Sequence, residues 1–364
     1  LSRREVEFLR RPHHKAVIDP MIDWSDPGFS AAGLRPLFAT LRARLVPLLE
    51  RITAAPPLDN SCLLQDYPEA EQLAFGERVI RRMGYDFTRG RQDKTTHPFM
   101  IRFAQDDVRI TTRVRDRDVS EALFSTIHEA GHALYEQGVT PSFDGTPIGH
   151  GASSGIHESQ SRFWENFIAR GLPFWRFFYP DLQKTFPRQL GSVPLEVFHR
   201  AINRVQKTLI RTDADEVSYN LHVMIRFDLE CDLLAGKLAV KDLADAWNAR
   251  YESDLGVVPS VASEGVLQDV HWFYGSIGGA FQGYTIGNVF SGQLYATALK
   301  EMPDLEKKIE SGELSGIRNW LKTKLHRHGA KFDGPELIQR VCGRGLEAED
   351  YLRYLENKYE SLMR

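Results

Sequence analysis

The chain lacks the features of secreted, membrane-spanning and nucleic-acid-binding proteins. It has only three cysteines in 364 residues, and this odd, scattered set is unlike a disulfide scaffold and predicts a reducing cytoplasm. It contains no run of 18 apolar residues and no signal-peptide core, so a membrane partner is not expected. The net charge of −3 gives no electrostatic basis for binding nucleic acid, which we also exclude as a partner.

The chain also lacks internal boundaries. No linker rich in proline, glycine or serine, no repeat and no low-complexity stretch divides it. Its length would allow two or three domains, but the motifs described below belong to one site and extend from residue 107 to residue 284. We therefore predict one catalytic domain over residues 1–364.

Helical periodicity accounts for most of the sequence, because apolar residues recur three and four positions apart. The predicted helices cover residues 31–52, 69–83, 119–138, 155–171, 213–235, 241–251, 285–300 and 347–363. Two short runs rich in β-formers, residues 99–103 and 108–114, flank a polar turn and predict a β-hairpin. We predict a mainly α fold with a small hairpin or sheet beside the helix at 119–138, whose exposed edge can accept an extended peptide.

The most informative pattern is the sequence HEAGH at residues 128–132. Residues four apart on a helix project from one face, so the two imidazoles can bind a single Zn²⁺, and Glu129 beside them is a candidate general base. Residues 118–121 form a predicted capping box and Gly138 a predicted helix end. The motif therefore lies within a helix, where packing holds its backbone.

A catalytic zinc takes three protein ligands, of which His128 and His132 are two. Zincins with a third histidine have HExxHxxGxxH, and here Tyr135 and Gly138 occupy the last two of those positions. The other zincins take a glutamate from a following helix, for which Glu158 is the candidate. An acid in the first turn of a helix is also favoured by the helix dipole alone, so a purely structural role for Glu158 stays open.

Four further motifs accompany HEAGH, namely DxRxT at 107–111, HESQ at 157–160, IRxxAD at 210–215 and GxxQDxHW at 265–272. In these five motifs and their order along the sequence, the chain resembles the carboxypeptidase Taq family of thermostable metallocarboxypeptidases. Any one motif alone would be weak evidence, but five motifs in this order are specific to the family. The resemblance implies a helical, gluzincin-type metallopeptidase with Zn²⁺, or alternatively Co²⁺, and a homodimer.

The resemblance also assigns roles to individual residues. His271 and Tyr284 are implied to stabilise the oxyanion that develops during hydrolysis. Arg211 is implied to bind the substrate's free C-terminal carboxylate, for which the planar guanidinium is well suited. Asp107 and Arg109 are expected to shape the hairpin edge, and Arg109 is a second candidate for the carboxylate.

Each of these residues also has an ordinary structural interpretation. Taken alone, His271 and Tyr284 are more typical of packed, hydrogen-bonded residues. Helical spacing places Arg211 on the same face as Asp215, which favours an intrahelical ion pair. We expect either Asp215 or Glu216 to orient a zinc-binding histidine through its second ring nitrogen.

Two departures from the family pattern affect the predicted groove. Family members carry a substantial helical segment before the point that corresponds to Leu1, so the groove is expected to be less covered here. The sequence FQGY at 281–284 replaces the family's more frequent FPTY, and Gly283 is expected to make the loop that presents Tyr284 more mobile.

The sequence thus predicts a zinc-dependent metallocarboxypeptidase that releases C-terminal residues from peptides with broad specificity. A dipeptidyl carboxypeptidase or oligopeptidase of related fold is the alternative within the same class. A peptide-binding protein that keeps the metal without catalysis is the alternative from a different class, and the intact Glu129 argues against it.

Overall fold

Helices form most of the chain, as the apolar periodicity predicts. The computed structural model describes residues 1–272 and 275–363. Its helices are α1 Ser2–Leu9, α2 Asp19–Ser25, α3 Ala31–Thr53, α4 Glu69–Met83, α5 Val119–Gly138, α6 Ser154–Arg162, α7 Leu172–Thr185, α8 Pro187–Leu190, α9 Leu195–Ile202, α10 Tyr219–Leu234, α11 Leu243–Leu255, α12 Gln282–Glu301, α13 Leu305–Glu310, α14 Ser315–Lys324, α15 Gly334–Cys342 and α16 Glu349–Met363. The predicted bounds of α4 and α5 agree with the structure, and the mainly α fold class is confirmed.

A three-stranded sheet packs against α5. Its strands are β1 Gln92–Lys94, β2 Met100–Ala104 and β3 Asp107–Thr112, in the order β1-β3-β2. The antiparallel pairing of β2 with β3 confirms the predicted hairpin. The parallel strand β1 was not predicted, because three polar residues carry no alternating apolar signal.

Two predicted helices differ from the structure in ways that affect the site. The helix predicted at 155–171 divides into α6 and a π-helix, Phe163–Ala169. The helix predicted from residue 213 begins only at Tyr219, because Arg211–Asp213 form a 3₁₀ turn. The Asp215 side chain accepts hydrogen bonds from the backbone N–H groups of residues 206, 217 and 218, which stabilises a turn instead of a continuous helix.

The start of α5 matches one half of the predicted capping box. Asp118 precedes the helix and accepts a hydrogen bond from the backbone N–H of Ser120 at 3.0 Å. Glu121 does not return to the cap, because its carboxylate binds Arg113 at 2.5 Å. Asp118 therefore caps the helix, while Glu121 in its first turn binds Arg113, which follows β3.

The buried apolar residues form two clusters with α12 between them. One cluster surrounds α4, α5, α7 and the sheet, and the other surrounds α3, α10, α11 and α16. Phe290 and Leu294 of α12 belong to the first cluster, and Ile286 and Val289 to the second. In the part of the chain that is described, no helix combines the length and apolarity needed to cross a bilayer.

The segment that joins His271 to Tyr284 is attached to α10 through a buried acid. Glu230 is 2% exposed and accepts a hydrogen bond from the Gly278 N–H at 3.0 Å. Its second oxygen has no hydrogen-bond partner among the described residues. Burial raises the pKa of Glu230 to about 8, so the carboxyl group is protonated in the folded protein at neutral pH.

Glu230→Gln is expected to change how stability depends on pH. The folded protein binds the Glu230 proton up to about pH 8, whereas an unfolded chain releases it near 4.5, so wild-type stability falls as the pH rises through this window. The glutamine variant avoids this loss, and its Tm should exceed that of wild type by on the order of 5 °C at pH 8, with no difference below pH 4.5. Thermal melts across pH 4–9 test this, with Glu71→Gln at an exposed position as the control. Parallel curves for wild type and Glu230→Gln would contradict it.

Candidate metal centre and groove

Three predicted metal ligands converge between α5 and α6. Ligand atoms of His128, His132 and Glu158 all lie within 4.8 Å of one another. The Glu158 Oε2 atom is 3.4 Å from His132 Nε2 and 3.7 Å from His128 Nε2. Donors bound to one tetrahedral zinc at 2.0–2.1 Å are about 3.3 Å apart. The two imidazoles and the carboxylate therefore fit a Zn²⁺ ion.

Glycines bring the helices that carry these ligands into close contact. A Cβ atom at Gly131 of α5 would lie 2.7 Å from the Gln160 carbonyl oxygen of α6. A Cβ atom at Gly287 of α12 would lie 2.6 Å from Glu158 Cβ. Such distances are too short for any larger residue, so α6 is held between α5 and α12 with backbone almost in contact.

His128 is oriented by a carboxylate from the π-helix. Its Nδ1 atom lies 2.9 Å from Glu165 Oε2, which leaves Nε2 directed at the ligand cluster, as in zinc sites where a carboxylate supports a histidine. Burial lowers the pKa of His128, but the charges of Glu158 and Glu165 outweigh it and raise the value. Burial opposes ionisation of Glu165, yet Arg162 and His128 lower its pKa to about 2.

His132 is supported differently, by a second imidazole. Its Nδ1 atom lies 2.7 Å from Nδ1 of His157, and Nε2 of His157 lies 2.8 Å from Glu136 Oε1. Burial lowers the pKa of His132 to about 4, which keeps it neutral, the form that binds metals.

Glu158 is held ionised by an arginine of its own helix. Arg162 donates from Nε to Glu158 Oε1 at 2.7 Å and from NH1 to Glu165 Oε2 at 3.1 Å. Burial opposes the charge on Glu158, but Arg162 and His128 outweigh it and hold the Glu158 pKa well below its usual range. One Glu158 oxygen is thus bound to Arg162 while the other faces the two histidines.

Glu129 projects into the groove beside the ligands. It is 6% exposed, and burial raises its pKa to about 7. Among residues 1–272 and 275–363 its carboxylate has no hydrogen-bond donor. A buried carboxylate with such a pKa and no protein partner is suited to exchange protons with a bound water or substrate.

The ligand cluster lies at the base of a groove of about 540 Å³. Both His271 and Tyr284 line it, as does His97, whose ring centroid is 5.1 Å from that of His271. Tyr284 belongs to the first turn of α12, which begins three residues before its predicted start at 285, so Tyr284 is presented by a helix and not by the expected loop. Burial raises the pKa of Tyr284, so the hydroxyl keeps its proton and can act as a donor.

Arg211 reaches the groove with most of its donors already engaged. Its Nε and NH2 atoms bind the two oxygens of Asp269, NH1 donates to the Tyr219 hydroxyl at 2.9 Å, and NH2 lies 3.1 Å from His271 Nδ1. The ion pair is with Asp269 and not with Asp215, because Arg211 lies on a 3₁₀ turn and not on the predicted helix. One NH1 hydrogen remains without a partner among the described residues.

Asp107 and Arg109 lie away from the ligands. They form a two-point ion pair on β3, with both N–O distances at 2.7 Å, and Arg109 stacks over the Phe103 ring. Neither is among the described residues that line the groove. The structure therefore does not bring Arg109 to the ligand cluster, where a carboxylate anchor would have to be.

The predicted supporting acids for the zinc histidines were wrong. Asp215 binds backbone N–H groups, and Glu216 binds Lys358 at 2.6 Å. The observed partners of His128 and His132 are Glu165 and His157 instead. Glu165 was missed although it follows Glu158 by seven residues, about two helical turns, a spacing that places both carboxylates on one face of the helix.

Comparisons with known proteins agree with this geometry. The sequence profile of a family described as Carboxypeptidase Taq (M32) metallopeptidase matches residues 1–359. Thermostable carboxypeptidase 1 of Thermus thermophilus is 42% identical over 352 residues, which cover 96% of this chain and 69% of that protein. Carboxypeptidase 1 of Bacillus subtilis is 39% identical, with coverages of 98% and 72%. The crystal structure of an M32 carboxypeptidase from Deinococcus radiodurans superposes with a TM-score of 0.97 at 51% identity, covering 99% of this chain and 72% of that chain.

Gly287→Ala is expected to weaken metal binding from outside the ligand set. The added methyl group would overlap Glu158 Cβ, so α6 and α12 must separate and displace the carboxylate. We expect zinc affinity to fall at least about tenfold and unfolding free energy to fall by about 1–3 kcal/mol. Competition titration with a chromophoric chelator and thermal melts measure the two effects. Gly33→Ala in α3, where the nearest side-chain atom is 3.7 Å from the new Cβ, is the matched control. Wild-type zinc affinity in Gly287→Ala would refute the argument.

Proposed function

Because this chain belongs to the carboxypeptidase Taq (M32) metallopeptidase family, and is therefore a metallocarboxypeptidase, we propose that it uses a zinc ion held by His128, His132 and Glu158. We further propose that it removes residues from the free C-termini of peptides with broad specificity. The main support for this proposal is that these three donors converge beside Glu129, whose pKa is raised to about 7 by burial.

The chemistry divides between the ion and the protein. A bound zinc ion would act as a Lewis acid on the scissile carbonyl and lower the pKa of a water molecule toward about 7. Glu129 accepts a proton from the attacking water as the new C–O bond forms. It returns that proton to the amide nitrogen as the C–N bond breaks, so a free amine leaves.

His271 and Tyr284 are proposed donors to the developing oxyanion. Both line the groove that contains Glu129. His271 Nδ1 lies 3.0 Å from Asp269 Oδ1 and 3.1 Å from Arg211 NH2, so Nε2 is the ring nitrogen that remains available to substrate. A well-placed donor of this kind is typically worth about 10²–10³ in rate.

Arg211 is the proposed contact for the substrate carboxylate, but through one hydrogen bond and not through both arms of its guanidinium. Asp269 occupies the fork of the guanidinium, so only the remaining NH1 hydrogen is available to substrate. Asp269 and Tyr219 thereby fix the position of the cation before substrate arrives. Arg113 and Arg115 also line the groove and supply further positive charge near the carboxylate.

Several finer features stay proposals. Zinc is proposed as the metal because two histidines and one glutamate are a donor set found in catalytic zinc sites. A homodimer, a single catalytic domain and a cytoplasmic location are further proposals, the last supported by the free thiols of Cys62, Cys231 and Cys342. The peptide-binding alternative is disfavoured by the Glu129 carboxylate, which has no hydrogen-bond partner among the described residues and would not be needed for metal-dependent binding alone.

Glu129→Gln is expected to abolish turnover while leaving the metal in place. Glutamine has nearly the same shape but cannot accept the proton, so kcat should fall by about 10²–10⁴. Zinc content by atomic absorption and hydrolysis of a blocked dipeptide test the two parts separately. Glu121→Gln is the matched control, because Glu121 lines the same groove but is bound to Arg113. Wild-type turnover in a zinc-loaded Glu129→Gln protein would contradict the proposed proton transfer by Glu129.

The exopeptidase proposal is tested by comparing a blocked dipeptide acid with its C-terminal amide. Wild type should cleave the acid far faster than the amide. Arg211→Ala should reduce this preference by on the order of 10- to 100-fold in kcat/KM, because one charge-assisted hydrogen bond of about 1.5–3 kcal/mol is lost. Arg109→Ala, outside the groove, should retain the preference.

Two results would contradict parts of this proposal. An unchanged acid-over-amide preference in Arg211→Ala would move the carboxylate contact to Arg113 or Arg115. Equal cleavage of acid and amide by wild type would argue against a carboxypeptidase. Mass spectrometry of products from a longer peptide separates release of single residues from release of dipeptides, the product expected of the dipeptidyl alternative.

A further inference from the structure

We propose that His157 and Glu136 are positioning residues that fix the metal-binding form of His132. Together they form the hydrogen-bonded chain Glu136–His157–His132, which ends at the ligand cluster. This inference rests on the proposed metal site and deepens it, since it concerns how one ligand is oriented and not whether the metal binds. Neither His157 nor Glu136 would touch metal or substrate.

The distances in the chain restrict where its hydrogens can be. The Nδ1–Nδ1 contact between the two imidazoles is 2.7 Å, so one ring must donate and the other accept. If His157 donated at this contact, the hydrogen of neutral His132 would reside on Nε2, directed at Glu158. If His132 donates, its Nε2 lone pair faces the ligand cluster. Only the second arrangement can bind a metal.

Glu136 selects the second arrangement. Its Oε1 atom lies 2.8 Å from His157 Nε2, and an ionised carboxylate can only accept, so His157 holds a hydrogen on Nε2. In an imidazole that carries one hydrogen, Nδ1 is then the acceptor for His132. Burial opposes the charge on Glu136, but the hydrogen bond to His157, the Gly151 N–H and Arg102 lower the Glu136 pKa below its ordinary value. The tautomer of each ring follows from this buried carboxylate.

The chain is also held in place by packing. Glu136 is 3% exposed, accepts a hydrogen bond from the Gly151 N–H at 2.9 Å and lies 3.4 Å from Arg102 Nε. The His157 ring is packed so closely on Gly151 that a Cβ atom there would lie 2.5 Å from His157 Cδ2. The Tyr135 ring lies 5.0 Å from it on the same side. His157 is therefore fixed before any metal binds.

The two histidine ligands thus receive support in different ways. His128 donates directly to a carboxylate, Glu165, which two arginines neutralise in part. His132 donates to the His157 imidazole and reaches its carboxylate only through that ring. Removing His157 should consequently disturb one ligand and leave the other unchanged, which separates this inference from a general loosening of the site.

The test uses His157→Phe, His157→Asn and Glu136→Gln in the full chain, with His150→Ala as control. Phenylalanine keeps a ring but has no acceptor, whereas the asparagine oxygen can take the place of Nδ1. His150 is exposed and close in sequence to His157, and it does not belong to the hydrogen-bonded series Glu136–His157–His132. Zinc affinity is measured by competition with a chromophoric chelator, and ligand geometry by the visible absorption spectrum of the Co²⁺-loaded protein.

We expect His157→Phe to lose about 10- to 100-fold in zinc affinity and to shift the Co²⁺ spectrum, as is typical when a partner of a metal-binding histidine is removed. His157→Asn should recover most of the wild-type zinc affinity and most of the wild-type Co²⁺ spectrum. Glu136→Gln should give values between those of His157→Phe and wild type. If His157→Phe does not fold, Gly151→Ala, which displaces the ring without removing it, should reproduce the spectral shift. Wild-type affinity and spectrum in a folded His157→Phe or Gly151→Ala protein would overturn the proposal.

Failure of the metal site itself would look different. Glu158→Ala and wild type are titrated alongside the variants. If Glu158→Ala bound zinc as tightly as wild type, the proposed ligand set would be wrong. If Glu158→Ala loses zinc affinity while His157→Phe keeps the wild-type affinity and Co²⁺ spectrum, only the positioning role of His157 and Glu136 is refuted.

Discussion

The site depends on how closely three helices approach one another. At Gly131 the backbone of α5 meets that of α6, and at Gly287 α12 meets Glu158 itself. Neither glycine has a side chain to place between the helices, so the distance between the two histidines and the glutamate is set by this close approach. Backbone positions vary less than side-chain rotamers do, which gives the ligand set its rigidity. The sheet, the groove and the supporting charges are arranged around this contact.

Such packing places many ionisable groups out of water, and the charges must then be compensated within the protein. Arg162 lies between Glu158 and Glu165 and neutralises both in part. Asp269 plays the corresponding role for the cations Arg211 and Arg226. Among the described residues, the buried acids without a pairing cation include Glu129 and Glu230, and burial raises the pKa of each. A paired group keeps one charge state whereas an unpaired one can change, and Glu129 is the unpaired acid that lines the groove.

The parts of the site that follow regular helical spacing could be predicted from sequence. His128, His132 and Glu129 follow from the four-residue spacing within α5, and Glu158 from a position in the next helix. Prediction failed where backbone geometry departs from the α-helix. Arg211 pairs with a residue 58 positions away because its segment is a 3₁₀ turn. Glu165, in contrast, lies on the helical face of Glu158 and could have been found from that spacing. Contacts made by the loop at 145–153, such as Gly151 on His157, carry no sequence period at all.

The π-helix has a consequence for how this region packs. In residues 163–169 each turn contains more residues than an α-helical turn, with the Arg170 N–H bonded to the carbonyl of Glu165 five residues earlier. If the same residues instead formed an ordinary α-helix, the extra residue of the wide turn would rotate every later side chain by about 100° relative to α6. Buried residues after the turn, such as Phe167 and Ile168, would then leave the core. The wide turn therefore allows α6 to keep Glu158 and Arg162 at the site while the residues that follow keep their places in the core.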